Sequence, residues 1–374
     1  MDKAMMYKQI LQKNKEYNGR FYTAVKTTKI YCVPSCPARI PNFENVEFFD
    51  NHNEAEAAGY RPCKKCFPQT IHIQWKNLKN HIEISTAPDF NFAECLVYLN
   101  RSDQECLHQV VGEKIYKLVQ IEDYNVLLKI NHVSHHLHVE FVNDVPPKWG
   151  RALIAKYVVD MFDLQTDLNP FYELANNDPI LHALVEKYRG LRIIKINDLF
   201  ECLTWAVIGQ QINLKFAYTL KRRLVESYGD KVSYEGVDYY SFPHPHVIAE
   251  LEIEDLKKLQ FTTRKAEYVI GIAKLFVSGE LNKKELLTEK DYHVLLNHLV
   301  SIRGIGHWTA DYTIMKSFNL NCAFPIADVG IHNALKGILG LDKKPSIPEI
   351  QVLAKNWTGW ESYAAFYLWR WLYD

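Results

Sequence analysis

No stretch of this chain approaches twenty consecutive apolar residues, so a membrane-spanning helix is excluded. The first twelve residues, Met1 to Gln12, lack an apolar run followed by small residues and do not resemble a secretory signal. Residence in the cytosol, where thiols stay reduced, is the expectation. Internal repeats and low-complexity segments are missing too. So is net charge: 44 Lys and Arg are balanced by 44 Asp and Glu. Only residues 1–70 are net basic, with 11 basic against 7 acidic side chains; residues 71–165 carry 9 against 12, and the remainder 24 against 25. A strong overall electrostatic footprint for nucleic acid is therefore absent.

What is present is length, aromatics and clustered cysteine. At 374 residues the chain is too long for one ordinary core. Its 48% apolar and 24% charged content is that of a soluble globular protein. Phe, Trp and Tyr reach 13%, and flat rings are what a protein uses to hold an unstacked base. Four of the eight cysteines fall between Cys32 and Cys66, whereas Cys95, Cys106, Cys202 and Cys322 stand apart.

These features predict a multidomain protein in three parts: a four-cysteine zinc domain (1–70), a small α+β domain with an antiparallel sheet (71–160), and an all-helical domain (161–374). In the middle part, Ile71–Trp75, Lys114–Leu118, Asn125–Lys129 and Leu137–Phe141 alternate as strands, and Phe92–Leu99 carries helical spacing. His135, His136 and His138, on a predicted strand, read as surface residues rather than as a second metal site. After Pro146-Pro147 the pattern turns helical and stays so, with helices expected at 149–162, 199–208, 214–228, 266–277, 291–300, 307–318, 329–338, 347–355 and 362–372.

Cys32-Val-Pro-Ser-Cys36 and Cys63-Lys-Lys-Cys66 form two close pairs separated by 26 residues. In a reducing compartment this spacing reads as a tetrahedral zinc site, each tight turn supplying two thiolates. The competing readings are two disulfides or unconnected core cysteines. Arg39, Arg61, Lys64 and Lys65 flank the ligands as candidate phosphate contacts. The strings Arg20–Cys32, Pro37-Ala-Arg-Ile-Pro41, Ala57–Cys63 and Cys66-Phe-Pro68 closely resemble the N-terminal zinc domain of the bacterial Ada adaptive-response family. That resemblance implies that one zinc thiolate, at the position of Cys32, accepts the methyl group of a DNA methylphosphotriester irreversibly. Losing one sulfur's charge would then tighten binding to DNA. The helix-turn-helix regulator and the Pro-Cys-His-Arg methyltransferase motif that often follow such a domain are not recognisable here.

Leu299-Val-Ser-Ile-Arg-Gly-Ile-Gly-His-Trp-Thr-Ala310 places Gly304 and Gly306 in a tight turn between two helices. Amides exposed at the start of the second helix suit a phosphate without any basic side chain. Alone this turn is weak evidence. Asp328, in Phe324-Pro-Ile-Ala-Asp-Val-Gly-Ile331, follows Gly306 by 22 residues. Together with Phe200–Gln211 and Ser362–Trp369, these strings resemble the helix-hairpin-helix glycosylase superfamily, and more closely 3-methyladenine DNA glycosylase II (AlkA), over residues 73–374.

The resemblance makes Asp328 the catalytic carboxylate, stabilising positive charge on the sugar as the glycosidic bond breaks; a helix N-cap is its bland alternative. Trp308, Tyr312, Trp369 and Tyr98 would line a base pocket, unless they are ordinary core. Gln211, or else Gln210 or Ile212, would plug the duplex, and Arg264 and Lys265 would contact phosphate. Trp308 occupies the position where lyase members carry a lysine, so a monofunctional enzyme is expected. A monovalent cation at the hairpin, double-stranded DNA bearing alkylated bases and methylphosphotriesters, and monomeric action complete the expectation. Two rivals keep the glycosylase but make the zinc module a passive DNA-binding element, or make the chain a methylation-sensing regulator.

Overall fold

The computed structural model describes residues 1–374 except Ile71 and Asp123. The front part is a four-stranded sheet in the order Val46–Phe49, Tyr22–Val25, Ile30–Cys32, Arg61–Pro62. Its last pairing is parallel, with Ile30 opposite Arg61 and Tyr31 opposite Pro62. That register, extended by the Cys63 amide donating to the Tyr31 carbonyl at 3.0 Å, sets Cys32 beside Cys63. Tyr22, Ala24, Tyr31, Val33, Ala55 and Tyr60 form its small core. So small a core stabilises little by itself, and a metal is the usual supplement.

The middle part is a six-stranded antiparallel sheet ordered Trp75–Asn77, His81–Ser85, His136–Phe141, Tyr124–Val133, Lys114–Ile121, Gln109–Val111. Period-2 alternation sends Ile82, Ile84, Leu137, Val139, Val126, Leu128 and Ile130 to one face, where they are buried in the main core with the helix Phe92–Leu99. The expected strand 71–75 is not formed. Ile71 lies outside the described residues, and the chain is still turning at Ile73, whose amide donates to Thr70. Pairing begins only at Trp75.

Helices follow at Lys148–Met161, Leu199–Gly209, Leu214–Tyr228, Thr263–Ser278, Tyr292–Val300, His307–Ser317, Val329–Ile338, Ile347–Ala354 and Glu361–Trp371, among others. Many start on a short polar cap: Asp198, Asn213, Thr262, Asp291 and Asp328 each accept amides of the first turn. Leu199–Gly209 is apolar on nearly every side and runs through the middle of the domain. No helix of the described residues is long and apolar enough to cross a membrane.

The helical stretch is interrupted, contrary to expectation, by a hairpin of Lys231–Tyr234 and Val237–Tyr240. Glu235 and Gly236 both take positive φ (50° and 78°), the backbone of a two-residue turn that matches strand twist. The hairpin reaches the outer face of the six-stranded sheet, where Tyr239 joins Leu118 and Leu127 in a separate cluster.

The sheet and helical parts are joined by buried ion pairs. Lys221 meets Glu105 at 2.6 Å with both side chains under a tenth exposed, and Arg370 meets Glu94 at 2.6 Å. Burial alone would raise the Glu105 carboxyl, but Lys221 and His108 outweigh it and hold it below the ordinary range. Removing one partner strands a buried charge. Lys221→Met should therefore destabilise the protein by about 3–5 kcal/mol in urea denaturation, and adding Glu105→Leu should recover much of the loss.

Candidate active site and zinc centre

Four sulfurs converge at the edge of the front sheet. The Sγ atoms of Cys32, Cys36, Cys63 and Cys66 all lie within 4.8 Å of one another, and Cys36 and Cys63 are 3.9 Å apart. Zinc at about 2.3 Å from each sulfur of a tetrahedron needs sulfurs about 3.8 Å apart, so the donor set fits. Backbone amides already point at two of them: Ala38 to Cys36 at 3.5 Å and Lys65 to Cys63 at 3.4 Å. Among the flanking cations Arg39 is exposed. Lys64 is engaged within the chain, 3.1 Å from Glu122 and 3.6 Å above the Trp149 ring. It fastens the zinc turn to the middle part, which is not what a phosphate contact would do.

The hairpin lies between Tyr292–Val300 and His307–Ser317. Gly304 has φ +94°, and a Cβ there would strike the Tyr268 ring at 2.3 Å, so glycine is required twice over. Gly306 caps the second helix, and a Cβ on it would meet nothing within 4 Å. Gly306 is exposed. Gln210 donates through Nε2 to the Gly304 carbonyl (2.9 Å) and to Thr309 (3.0 Å), which anchors the Gly209–Asn213 turn to the hairpin. This leaves Gln211 exposed, in the left-handed region at φ 56°. Lys265 is not a surface cation. It is buried, and its Nζ donates to the Ile208 carbonyl at 2.7 Å, closing the end of the central helix. Its neighbour Arg264 stays exposed. Two internal hydrogen bonds thus gather Gly304, Gly306, Gln211 and Arg264 into one region, while Arg39 belongs to the front sheet.

Asp328 caps the helix Val329–Ile338 and does more. Its Oδ1 accepts the Gly330 and Ile331 amides at 2.8 and 3.2 Å and the Trp369 indole N–H at 2.8 Å. Its Oδ2 accepts only the Trp308 indole N–H, at 3.3 Å. Gly330 is necessary for this closeness, because a Cβ would stand 2.8 Å from Oδ1 and 3.2 Å from Trp369. His332 bridges the Pro345 and Ile326 carbonyls and fixes the preceding loop.

The aromatic rings run in series: Trp308 to Tyr312 (5.8 Å between centroids), Tyr312 to Trp369 (5.9 Å), Trp369 to Phe366 (6.4 Å) and Phe366 to Tyr98 (4.5 Å). Trp205 donates to the Tyr312 hydroxyl at 2.9 Å, and burial pushes the Tyr312 phenol well above its ordinary range. Tyr98 is 5% exposed, against Phe366 and beneath Arg101 at 3.9 Å. With Tyr312 it borders a cavity of about 60 Å³ between the sheet and helical parts. Sequence reasoning missed Arg101, Trp205, Phe366 and Lys316. Lys316 donates to Tyr98 and the Ile194 carbonyl, and burial drives its ammonium well below the lysine range. Trp205 and Phe366 lie inside strings that carry the family resemblance, but nothing local marks their roles, and Arg101 and Lys316 belong to no motif; the four meet only through the tertiary fold.

The DNA-3-methyladenine glycosylase of Bacillus subtilis (strain 168) is 41% identical over 304 residues, covering 80% of this chain and 100% of that protein. The chain belongs to the DNA-3-methyladenine glycosylase family. Residues 204–362 match the HhH-GPD superfamily base excision DNA repair protein model, and 78–203 the N-terminal domain of 8-oxoguanine DNA glycosylase. Residues 5–69 match the metal binding domain of Ada. The Escherichia coli (strain K12) bifunctional transcriptional activator/DNA repair enzyme Ada is 44% identical over 72 residues, which span 19% of this chain and 20% of that one. In fold, the chain is similar to a 3-methyladenine DNA-glycosylase from Archaeoglobus fulgidus, with TM-score 0.67 and 23% identity over 78% of this chain and 97% of that one. The family member described here is thus a DNA glycosylase, a hydrolase of N-glycosyl bonds, with a four-cysteine Zn²⁺ domain in front.

Asp311, on the same helix as Trp308 and Tyr312, is 7% exposed and accepts the Tyr292 hydroxyl at 2.5 Å. Burial pushes its carboxyl up to about 6, against the opposing pull of that hydrogen bond. A carboxyl raised by folding contributes stability below its unfolded pKa and loses it as pH rises through about 6. Asp311→Asn should therefore stabilise the glycosylase by about 1–3 kcal/mol at pH near 8 and have little effect near pH 4, in denaturant titrations at both values.

Proposed function

We propose that this glycosylase hydrolyses the N-glycosidic bond of alkylated purines of the 3-methyladenine type in duplex DNA, with Asp328 as its catalytic carboxylate. The observation that carries this reading is the asymmetry of Asp328. Oδ1 is fixed by three N–H donors, whereas Oδ2 has one long contact, from Trp308. As the bond from base nitrogen to C1′ breaks, its electron pair leaves with the base and positive charge grows on the sugar. A carboxylate already oriented stabilises that charge without reorganising. Water then adds to C1′ and its proton is released to solvent, since a base made cationic by alkylation departs neutral.

Trp308, Tyr312 and Trp369 supply ring faces that attract a base made cationic by alkylation. Tyr98 stands behind them. Gln211, exposed on its turn, would fill the gap left by the extruded nucleotide. The hairpin amides at Gly306 and the Arg264 side chain would hold phosphate, with a monovalent cation at the same hairpin, and the chain would act as a monomer. Strand cleavage through a Schiff base needs an amine where Trp308 stands, and Lys316 on the same helix is held by Ile194 and Tyr98.

Base release from methylated duplex DNA tests the glycosylase reading. Wild type should liberate free 3-methyladenine and leave the strand intact until alkali, and Asp328→Asn should lower the rate by about a hundred- to a thousand-fold. Absence of release by wild type would defeat the assignment.

The front module carries a second activity in the same proposal. A bound zinc keeps its sulfurs deprotonated at neutral pH. The Cys32 sulfur would attack the methyl carbon of a methylphosphotriester; the carbon–oxygen bond breaks and a phosphodiester anion leaves. Among the described hydrogen bonds, amides reach Cys36 and Cys63 and none reaches Cys32 or Cys66, and of these two the resemblance to Ada points to Cys32. Donors reduce a thiolate's nucleophilicity, which supports Cys32 as the acceptor. Mass spectrometry after incubation with methylphosphotriester DNA should find one methyl on the Cys32 peptide. An unmodified protein would leave the zinc module as a DNA-binding element alone.

A further inference from the structure

We propose that His81, Glu83 and His138 form a second divalent-metal site, separate from the four-thiolate centre and from the base pocket. The residues come from two adjacent strands. His81 and Glu83 alternate along His81–Ser85 and so share the outer face of the sheet, and the antiparallel register puts His138 directly opposite Glu83. Their ligand atoms all lie within 4.8 Å of one another. The His81 and His138 rings are stacked, 5.7 Å between centroids and 11° between planes. Both direct Nε2 at the same oxygen, Glu83 Oε1, from 3.9 and 3.8 Å.

Those distances are too long for hydrogen bonds. None of the three side chains has a hydrogen bond among those described, although each is no more than a third exposed. Polar groups that converge without bonding leave room for an ion between them. Zinc bound tetrahedrally by nitrogen and oxygen at about 2.1 Å needs its ligand atoms about 3.4 Å apart, so movements of less than about an ångström in each ring close the site. Two imidazoles and one carboxylate suit zinc or a neighbouring transition metal and not magnesium or calcium. Three protein ligands leave a fourth position for water.

The surroundings are compatible with a bound cation. Lys76, the closest competing charge at 3.6 Å from Glu83, is two-thirds exposed and free to swing away. Lys129 is neutralised by Glu140 at 2.8 Å. His81, His138 and Glu140 also line a cleft of about 480 Å³ whose far wall is Tyr234 and Glu235 at the tip of the unexpected hairpin. The ion would fasten His81–Ser85 to His136–Phe141 near the sheet edge, with its open position facing that cleft. His135 and His136 take no part: His135 sits in the turn at φ 63°, and the His136 ring is hydrogen-bonded to the Ser134 carbonyl at 2.8 Å.

The test is zinc stoichiometry on the full chain with its thiolate centre already loaded. Calorimetric titration with ZnCl₂ should show one further equivalent binding with micromolar affinity to wild type, and none to Glu83→Gln/His138→Asn. Proton resonances of the His81 and His138 rings in wild type should shift during the titration, which needs no variant to fold. Failure of wild type to take up the further equivalent would overturn the site. So would uptake that persists unchanged in the double variant, or uptake that leaves both rings unshifted.

Discussion

One carboxylate oxygen organises the helical half of this glycosylase. Asp328 Oδ1 accepts two amides from the helix it caps and an indole N–H from the last long helix, and the neighbouring Oδ2 touches an indole from the hairpin helix. Three separate segments therefore agree on the position of one anion. Capping and the proposed chemistry need not compete, since the cap uses one oxygen and leaves the other against the Trp308 indole. Gly330 belongs to the same constraint, because any side chain there would push the helix away from the carboxylate.

Much of this was legible in the sequence, and what was missed has physical reasons. Cysteine pairs and the Gly304–Gly306 turn are local, and their spacing carries the chemistry directly. Asp328 was singled out through its distance from the hairpin. Lys265 shows the limit of that kind of reading: a lysine at a helix start resembles a phosphate contact, yet a carbonyl at the end of another helix holds it. The hairpin at Lys231–Tyr240 had a readable signal in alternating Val, Tyr and a Glu-Gly turn, overridden by helical neighbours on both sides. Two helices, Asn169–Ala175 and Pro179–Tyr188, carried a signal in the proline of their first turns. Arg101 and Lys316 left no mark, and Trp205 left only its place in a quoted string, since each matters through partners far away in the chain.

The two modules are held by specific contacts rather than by a flexible tether alone. Lys64, between two zinc ligands, lies over Trp149 and against Glu122. Glu56 is shared by Tyr31 within the front sheet and, at 3.7 Å, by Lys284 of the helical part. A perturbation of the zinc turn can therefore reach the middle part through Lys64, and through Phe67, whose ring lies under Lys148. The front module carries the chain's excess positive charge, and part of that charge is already used inside the molecule.

The bare peptide at Gly306 bears on how the protein responds to its medium. Proteins that hold DNA with many lysines displace condensed counterions, and their affinity collapses as salt is added. A turn that offers neutral amides, in a chain whose charges sum to zero, displaces few. If that turn holds phosphate as proposed, its grip on a duplex would be governed by fit and dehydration, and would survive swings in ionic strength that would strip a basic protein from the same site.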